Sequence, residues 1–224
     1  MTSERELRAV FKDQGKERGF PFTDAEYRPF KELKSTWWRN GTSIRFKVSD
    51  YLENADRGIV EDYSRALMGR VTAGAKVCYS DRMREWLASG DFIRRSRPLY
   101  LRRSRNLALD HRGGTYDLMD LHDSLVDRGL VGDGDIYLTW TKGGNRKRVG
   151  YCSTLMRVVT VSSALDRPDV PEFVAEYVLY HELLHLEGDA LSPRHGRDFR
   201  RREREHPRWR EAEDWLRRLA SGRV

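Results

Sequence analysis

The second half of the chain alternates between helical and extended patterns of apolar residues. Residues 116–130 have leucines at helical spacing, which predicts an amphipathic helix. Residues 172–187 predict a longer helix that ends at Gly188. Between these helices, alternation of apolar and polar residues predicts three short strands, at residues 135–141, 149–152 and 157–162. This order of elements indicates an α+β fold with a small antiparallel or mixed sheet.

The first half of the chain has a mostly helical pattern. Its main predicted helices cover residues 3–18, 24–38 and 59–71. Residues 42–48 alternate instead, as a half-buried strand does, and this strand could join the sheet of the second half. We predict two regions, a mostly helical accessory region at residues 1–110 and an α+β domain at residues 111–224.

Composition excludes an integral membrane protein and argues against disorder. The chain has 224 residues, 34% of them charged, and its apolar runs fall short of the about 20 residues that a spanning helix needs. Six Trp, ten Tyr and eight Phe can supply a core. The N-terminus lacks the apolar segment of a signal peptide, so we expect a cytoplasmic protein with no membrane partner. The two cysteines fit a reducing compartment and are too few for a four-thiolate zinc site.

The residues with the clearest chemistry stand at the end of the predicted helix 172–187. His181, Glu182 and His185 form an HExxH pattern there. Helical residues four apart lie about 40° apart around the axis, so both imidazoles share one face and can bind one zinc ion. Glu182 lies one step around the helix, where it can accept a proton from zinc-bound water. This arrangement is typical of a metallohydrolase.

A third metal ligand is expected beyond this helix. His195 follows a turn-rich segment and can return to the first two histidines. Three protein ligands leave a fourth position for water, which a catalytic zinc site needs. Glu187 and Asp189 are the alternative third ligands. The competing interpretation is that these histidines are ordinary surface or core residues.

The surroundings of the motif give weaker indications. Tyr180 and Tyr151 are candidate oxyanion donors by proximity in sequence only. The alternating charges of residues 200–205 predict an exposed helical face, which includes Glu203. Trp209 and Trp215 are expected to pack the C-terminal helices onto the core.

These motifs resemble those of a known family. The HExxH at residues 181–185, followed by HGRDF at residues 195–199, is similar to the HExxH and HGxxF or HGxxW pattern of SprT-like zinc metallopeptidases. Residues 149–166 resemble the strand that precedes that group's active-site helix. Residues 199–218 are similar to the C-terminal helices of the bacterial YgjP-type proteins.

The resemblance implies a zincin-like metallopeptidase core, a small sheet with an active-site helix. It implies Zn²⁺ held by His181, His185 and His195, with Glu182 as the catalytic base. The expected activity is zinc-dependent hydrolysis of peptide bonds in a protein or peptide substrate. Some members of the group cleave proteins crosslinked to DNA, so DNA-associated proteins are an expected substrate class. The zinc-ribbon cysteines that some relatives carry are absent from this sequence.

The net charge of +7 raises a second hypothesis. Basic residues cluster in two runs, which contain Arg94, Arg95, Arg97, Arg102, Arg103 and Arg105, and Lys142, Arg146, Lys147 and Arg148. Such runs can follow a phosphate backbone, and the aromatic residues within the first run can stack on bases. They favour DNA as a partner and a nucleic-acid-associated zinc protein with little or no peptidase activity. A solvated, salt-bridged surface explains the same runs, and a zinc hydrolase of non-peptide amides is a third hypothesis.

Overall fold

The chain folds into two compact units. The computed structural model describes residues 2–188 and 195–223. The N-terminal unit comprises residues 1–103, and the C-terminal unit comprises residues 104–224. Each unit contains helices and a small mixed sheet of its own, which makes the fold α+β. Among the described residues, every helix is too short or too polar to cross a bilayer.

The N-terminal unit is a three-stranded sheet with helices on one face. Its elements are α1 (Glu4–Lys16), β1 (Phe22–Arg28), β2 (Ser35–Asn40), β3 (Ser43–Ser49), α2 (Arg57–Ala73), α3 (Asp81–Ala88) and α4 (Gly90–Arg103). The strand order is β1-β3-β2, with β1 parallel and β2 antiparallel to β3. In β3, Ile44, Phe46 and Val48 are buried, whereas Arg45 and Lys47 are exposed. The sheet therefore has one face in the core and one open face.

The helix predicted over residues 24–38 is wrong, because this stretch forms β1 and part of β2. Thr23, Ala25 and Tyr27 are buried at every second position, which is the period of a strand. Pairing with β3 outweighs the helix-favouring composition, as tertiary context commonly does. The strand predicted at residues 42–48 is confirmed as β3, but it joins this N-terminal sheet and not the second one.

The C-terminal unit surrounds a long central helix. Its elements are α5 (Leu118–Asp127), β4 (Tyr137–Trp140), β5 (Gly150–Ser153), β6 (Val158–Val161), α6 (Glu172–Glu187), α7 (Arg197–Glu203) and α8 (Trp209–Ala220). The strand order is β4-β6-β5, with β4 parallel and β5 antiparallel to β6. The prediction of a helix, three short strands and a long helix is confirmed.

Helix α6 lies in the core of the C-terminal unit, and this position explains its composition. It contacts α5, α7, α8 and both β5 and β6. Apolar residues occur on all its sides, which is typical of a buried helix. Trp215 of α8 is buried and Trp209 is partly buried against the same core, as their sequence context predicts. The last two turns of α6 carry the HExxH residues, so the motif stands on a rigid, packed element.

Candidate metal centre

Three histidines converge at the C-terminal end of α6. His181 and His185 are half-buried on one face of the helix, and His195 is exposed just before α7. One ligand nitrogen from each ring lies within 4.8 Å of the others. The Nε2 atoms of His185 and His195 are 3.1 Å apart. Two nitrogens bound to one tetrahedral zinc ion lie about 3.3 Å apart. The group therefore fits a metal ion once its most distant nitrogens, now within 4.8 Å, move to that separation.

The third member of this group is His195, as predicted, and Glu187 has a different role. The Glu187 carboxylate forms an ion pair with Arg202 at 2.6 Å. Arg202 also donates a hydrogen bond to the carbonyl oxygen of Leu130 at 2.8 Å. Glu187 therefore ties the end of α6 to α7. Asp189, the other alternative ligand, lies outside the described residues.

Two of the three imidazoles are in surroundings that favour the neutral form. Burial and the neighbouring imidazole of His181 lower the pKa of His185 to about 4. Burial and the same neighbour also lower the pKa of His195. A neutral imidazole has a lone pair for a metal ion, so these two rings are suited to bind one.

Glu203 orients His181. Its Oε1 atom lies 2.6 Å from Nδ1 of His181, which leaves Nε2 of this ring available for a metal ion. Burial by itself would lower the pKa of His181, but the hydrogen bond to Glu203 and nearby carboxylates outweigh it and raise the pKa. The same hydrogen bond lowers the pKa of Glu203. A carboxylate that holds the second nitrogen of a ligand histidine is a common feature of metal sites.

Phe199 packs against all three histidine rings. Its ring centroid lies 5.2 Å from that of His181, 4.8 Å from that of His185 and 4.6 Å from that of His195. Phe199 belongs to the first turns of α7, directly after His195. The aromatic ring therefore limits the rotation of the imidazoles and links α7 to the histidines of α6.

Glu182 lines a cleft beside the histidines. The side chain is buried, with only 8% of its surface exposed, yet its carboxylate makes no hydrogen bond or ion pair within the described residues. Burial raises its pKa to about 7, against the effects of His181 and Arg148. The backbone of Gly150 in β5 approaches this carboxylate so closely that a Cβ atom there would lie 2.3 Å from Oε1. Only glycine leaves room for the carboxylate at this point of the strand.

The cleft has a volume of about 590 Å³. His181, Glu182 and Glu203 lie on one wall, and Tyr177 and Glu213 are among the other lining residues. The hydroxyl of Tyr177 lies 3.4 Å from Glu213 Oε1. The cleft thus joins one histidine of the metal-binding group to the Glu182 carboxylate, which has no partner among the described residues, and to side chains of α8.

The second predicted basic run belongs partly to this cleft. Lys147 and Arg148 line it, and the guanidinium of Arg148 lies 4.6 Å from the ring centroid of Tyr151. Lys142 and Arg146 are exposed on the loop that precedes β5. Two of the four residues of this run therefore lie in the cleft that Glu182 lines.

The first basic run lies mainly on α4 of the N-terminal unit, and part of it is structural. Arg103 forms a bidentate ion pair with Asp50 and donates to the carbonyl oxygen of Phe30 at 2.7 Å. Arg94 pairs with Asp91, and Arg97 also has a partner. Arg95 and Arg102 are exposed on α4, and Arg105 is exposed in the C-terminal unit. The ten predicted basic residues therefore divide between the two units.

The two candidate oxyanion donors have other positions. Tyr180 is fully buried, and its hydroxyl donates to the carbonyl oxygen of Arg202, which links α6 to α7. Tyr151 is half-buried beneath Arg148. Tyr177, which sequence reasoning missed, lines the cleft instead.

Sequence reasoning also missed Glu203 and Gly150. Glu203 was predicted on an exposed face because its neighbours alternate in charge, yet its side chain is only 18% exposed. The prediction of an exposed face is wrong at this residue, since α7 turns Glu203 toward His181. The role of Gly150 depends on a contact with α6 that no local pattern reveals.

Comparisons of the chain with protein-family models, with curated proteins and with solved structures gave no match. The interpretation of the site therefore rests on the residues and distances described above.

Proposed function

We propose that the protein is a zinc-dependent metallopeptidase of the SprT-like type, with its active site in the C-terminal unit. One observation carries the proposal, namely that three histidine nitrogens converge and that one of them, on His181, lines the same cleft as the buried Glu182, whose carboxylate has no partner among the described residues. The HExxH spacing and the later HGRDF motif of the sequence support the same conclusion. The zincin-like core is part of this proposal.

The donor set suits zinc. His181, His185 and His195 would hold the ion, because imidazole nitrogens are ligands that suit zinc and three of them leave a coordination position open. Zinc held there would polarise the scissile carbonyl group and lower the pKa of a water molecule toward about 7. Glu203 would keep His181 in the tautomer that presents Nε2, and Phe199 would keep the three rings in place.

Glu182 would move the proton. Its carboxylate is unpaired within the described residues and borders the cleft, so it can accept a proton from the attacking water. It would then deliver this proton to the amine nitrogen that leaves when the peptide bond breaks.

The sheet edge supports a peptide as the substrate. Among the described residues, β5 is the last strand in the order β4-β6-β5, and its first residue, Gly150, borders the cleft. An extended peptide can add to such an edge through main-chain hydrogen bonds. This edge favours a peptide over a small non-peptide amide, which would make no use of a strand.

The test compares two glutamates of α6. Glu182→Gln should retain bound metal and lose hydrolysis of a protein substrate such as casein by a factor of about 10²–10⁴. Glu172→Gln changes an exposed carboxylate at the start of the same helix and should leave both metal content and activity unchanged. Metal content is measured by elemental analysis of the purified chain. Full activity of the Glu182 variant, or wild-type protein without affinity for zinc, would refute the proposal.

DNA-associated proteins remain the proposed substrate class within this function. The same assay with a DNA-binding protein as substrate, in the presence and absence of DNA, tests this part separately. A rate that does not change with DNA would limit the proposal to peptide hydrolysis.

A further inference from the structure

The excess positive charge of the chain lies in the N-terminal unit. Residues 1–103 contain 22 of the 42 Lys and Arg residues but 15 of the 35 Asp and Glu residues, which is a net charge of +7. Residues 104–224 contain 20 of each class and are neutral. The proposed peptidase unit thus carries no net charge, and the basic character of the protein belongs to the unit without the metal site. A localised excess of this size is typical of a surface that meets a polyanion.

The open face of the N-terminal sheet brings aromatic and basic side chains together. The strand pairing aligns Asp24, Arg45 and Trp38 in one row across the sheet, and Glu26, Lys47 and Thr36 in the next. Phe22 lies on the same face, two residues before Asp24. We call these seven residues the open sheet face. Phe22 is 70% exposed and Trp38 is 56% exposed, so the face presents two large aromatic rings to solvent.

The acidic and basic side chains of the open sheet face do not form ion pairs with one another. Glu26 accepts two hydrogen bonds from Arg28, at 2.9 Å and 2.7 Å. Asp24 accepts a hydrogen bond from the backbone of Ala25 and lies 3.8 Å from Arg8. Within the described residues, Arg45 and Lys47 have no hydrogen bond or ion pair. The acidic groups of the face are therefore partly neutralised, whereas its two central cations are free.

We infer that the open sheet face binds single-stranded nucleic acid. Trp38 and Phe22 would stack on unpaired bases, and Arg45 and Lys47, which lie on the strand between them, would contact the phosphates. Bases within a duplex are stacked on each other, so an aromatic platform of this kind selects single strands. A cavity of about 490 Å³ above this face gives room for a base. This inference is independent of the proposed peptidase activity.

The helix α4 offers an internal comparison. Arg95 and Arg102 are exposed on it, and no aromatic side chain exposed to solvent accompanies them among the residues of α4. If charge alone attracts nucleic acid, removal of these two arginines should weaken binding as much as removal of Arg45 and Lys47. If the open sheet face is the site, the second pair should matter more.

The experiment measures fluorescence anisotropy of a labelled strand of about 12 nucleotides, as DNA and as RNA, with the full chain. Trp38→Ala should weaken binding about tenfold, and Trp38→Phe, which keeps a stacking surface, should restore most of the affinity. The double variant Arg45→Ala/Lys47→Ala should lower the slope of log Kd against log salt by about 1.4 between about 50 and 200 mM salt. The double variant Arg95→Ala/Arg102→Ala removes the same charge from the same unit and should change the affinity by less than about threefold.

Four results would overturn the inference. They are the absence of binding at low salt, equal weakening by the two double variants, unchanged affinity of Trp38→Ala, and a duplex that binds as tightly as the single strand. Circular dichroism and thermal unfolding of each variant check that the exposed substitutions leave the fold intact. Because the assay detects binding without hydrolysis, its outcome does not depend on whether the C-terminal unit is a peptidase.

Discussion

The hydrogen bond between Glu203 and His181 gives a quantitative prediction for metal affinity. Glu203→Gln removes the negative charge that faces Nδ1 of His181 and keeps the size of the side chain. The carboxylate fixes which nitrogen of the ring carries the proton, so that Nε2 presents its lone pair. A glutamine can accept the same hydrogen bond through its oxygen but can also turn its amide group toward the ring, which then loses its single orientation.

The size of the effect follows from the exposure and the length of the bond. The side chains of His181 and Glu203 are 26% and 18% exposed, and the bond is 2.6 Å long. A hydrogen bond to a charged group in such a setting contributes about 1.5–3 kcal/mol. This range corresponds to a loss of about 10- to 100-fold in affinity, which is also the usual effect of removing the partner of a ligand histidine. We expect Glu203→Gln near the lower limit and Glu203→Ala near the upper limit.

The assay is competition for Zn²⁺ with a chromophoric chelator of known affinity, at constant pH. The matched control is Glu205→Gln, which changes a carboxylate two residues away that is 47% exposed and pairs with Arg202 at 3.3 Å. It removes the same charge without contact to a histidine and should change the affinity less than about threefold. Equal zinc affinity of Glu203→Gln and the wild-type chain, or equal losses in the two variants, would refute the reasoning.

Two further predictions concern the surroundings of α6. Gly150→Ala should displace the Glu182 carboxylate, since the new Cβ would lie 2.3 Å from it, and should lower kcat/KM about 100-fold while bound metal is retained. Gly69→Ala, where a Cβ meets nothing within 4 Å, should leave kcat/KM unchanged. Burial by itself would raise the pKa of Glu176, but the hydrogen bonds with His206 and Arg128 together outweigh it and lower the pKa below its usual 4.5. The stability that ionised Glu176 contributes is therefore present above about pH 4.5 and is lost as the pH falls further. Glu176→Gln should lower the free energy of unfolding, measured in urea, by about 1–3 kcal/mol at pH 7 and by less near about pH 3. The same difference between variant and wild type at both pH values would contradict this prediction.

The elements that follow from local pattern were predicted well. α6 spans Glu172–Glu187, the range that its flanking Pro171 and Gly188 indicate. The histidine group was also predictable, because helical geometry alone places His181 and His185 on one face. In contrast, β1 and β2 lie in the stretch predicted as one helix. Residues 24–28 do alternate polar and apolar side chains, but this alternation is short, and the pairing of both segments with β3, which makes them strands, is not visible in a local pattern.

The site residues that escaped prediction share the same physical cause. Glu203 contacts a residue 22 positions earlier in the chain, and Gly150 contacts Glu182 across 32 positions. Their roles arise from the packing of α7 and β5 on α6, which local charge and polarity do not determine. Packing between distant residues also changes the meaning of the first basic run. Arg103 forms an ion pair with Asp50 within the fold. A dense run of arginines in the sequence therefore overstates the free positive charge on the surface.

The division of charge explains how the two proposals can hold for one chain. A polyanion is attracted by a net positive charge within about 8–10 Å at physiological salt, and only the N-terminal unit has this excess. The cleft of the C-terminal unit is lined by three basic and three acidic residues, namely Lys147, Arg148, Arg217, Glu182, Glu203 and Glu213. A cleft without net charge suits the neutral main chain of a peptide, which binds through hydrogen bonds to a strand edge. Raising salt should therefore weaken nucleic-acid binding strongly while peptide affinity changes little, and this difference separates the two surfaces in a single preparation of the protein.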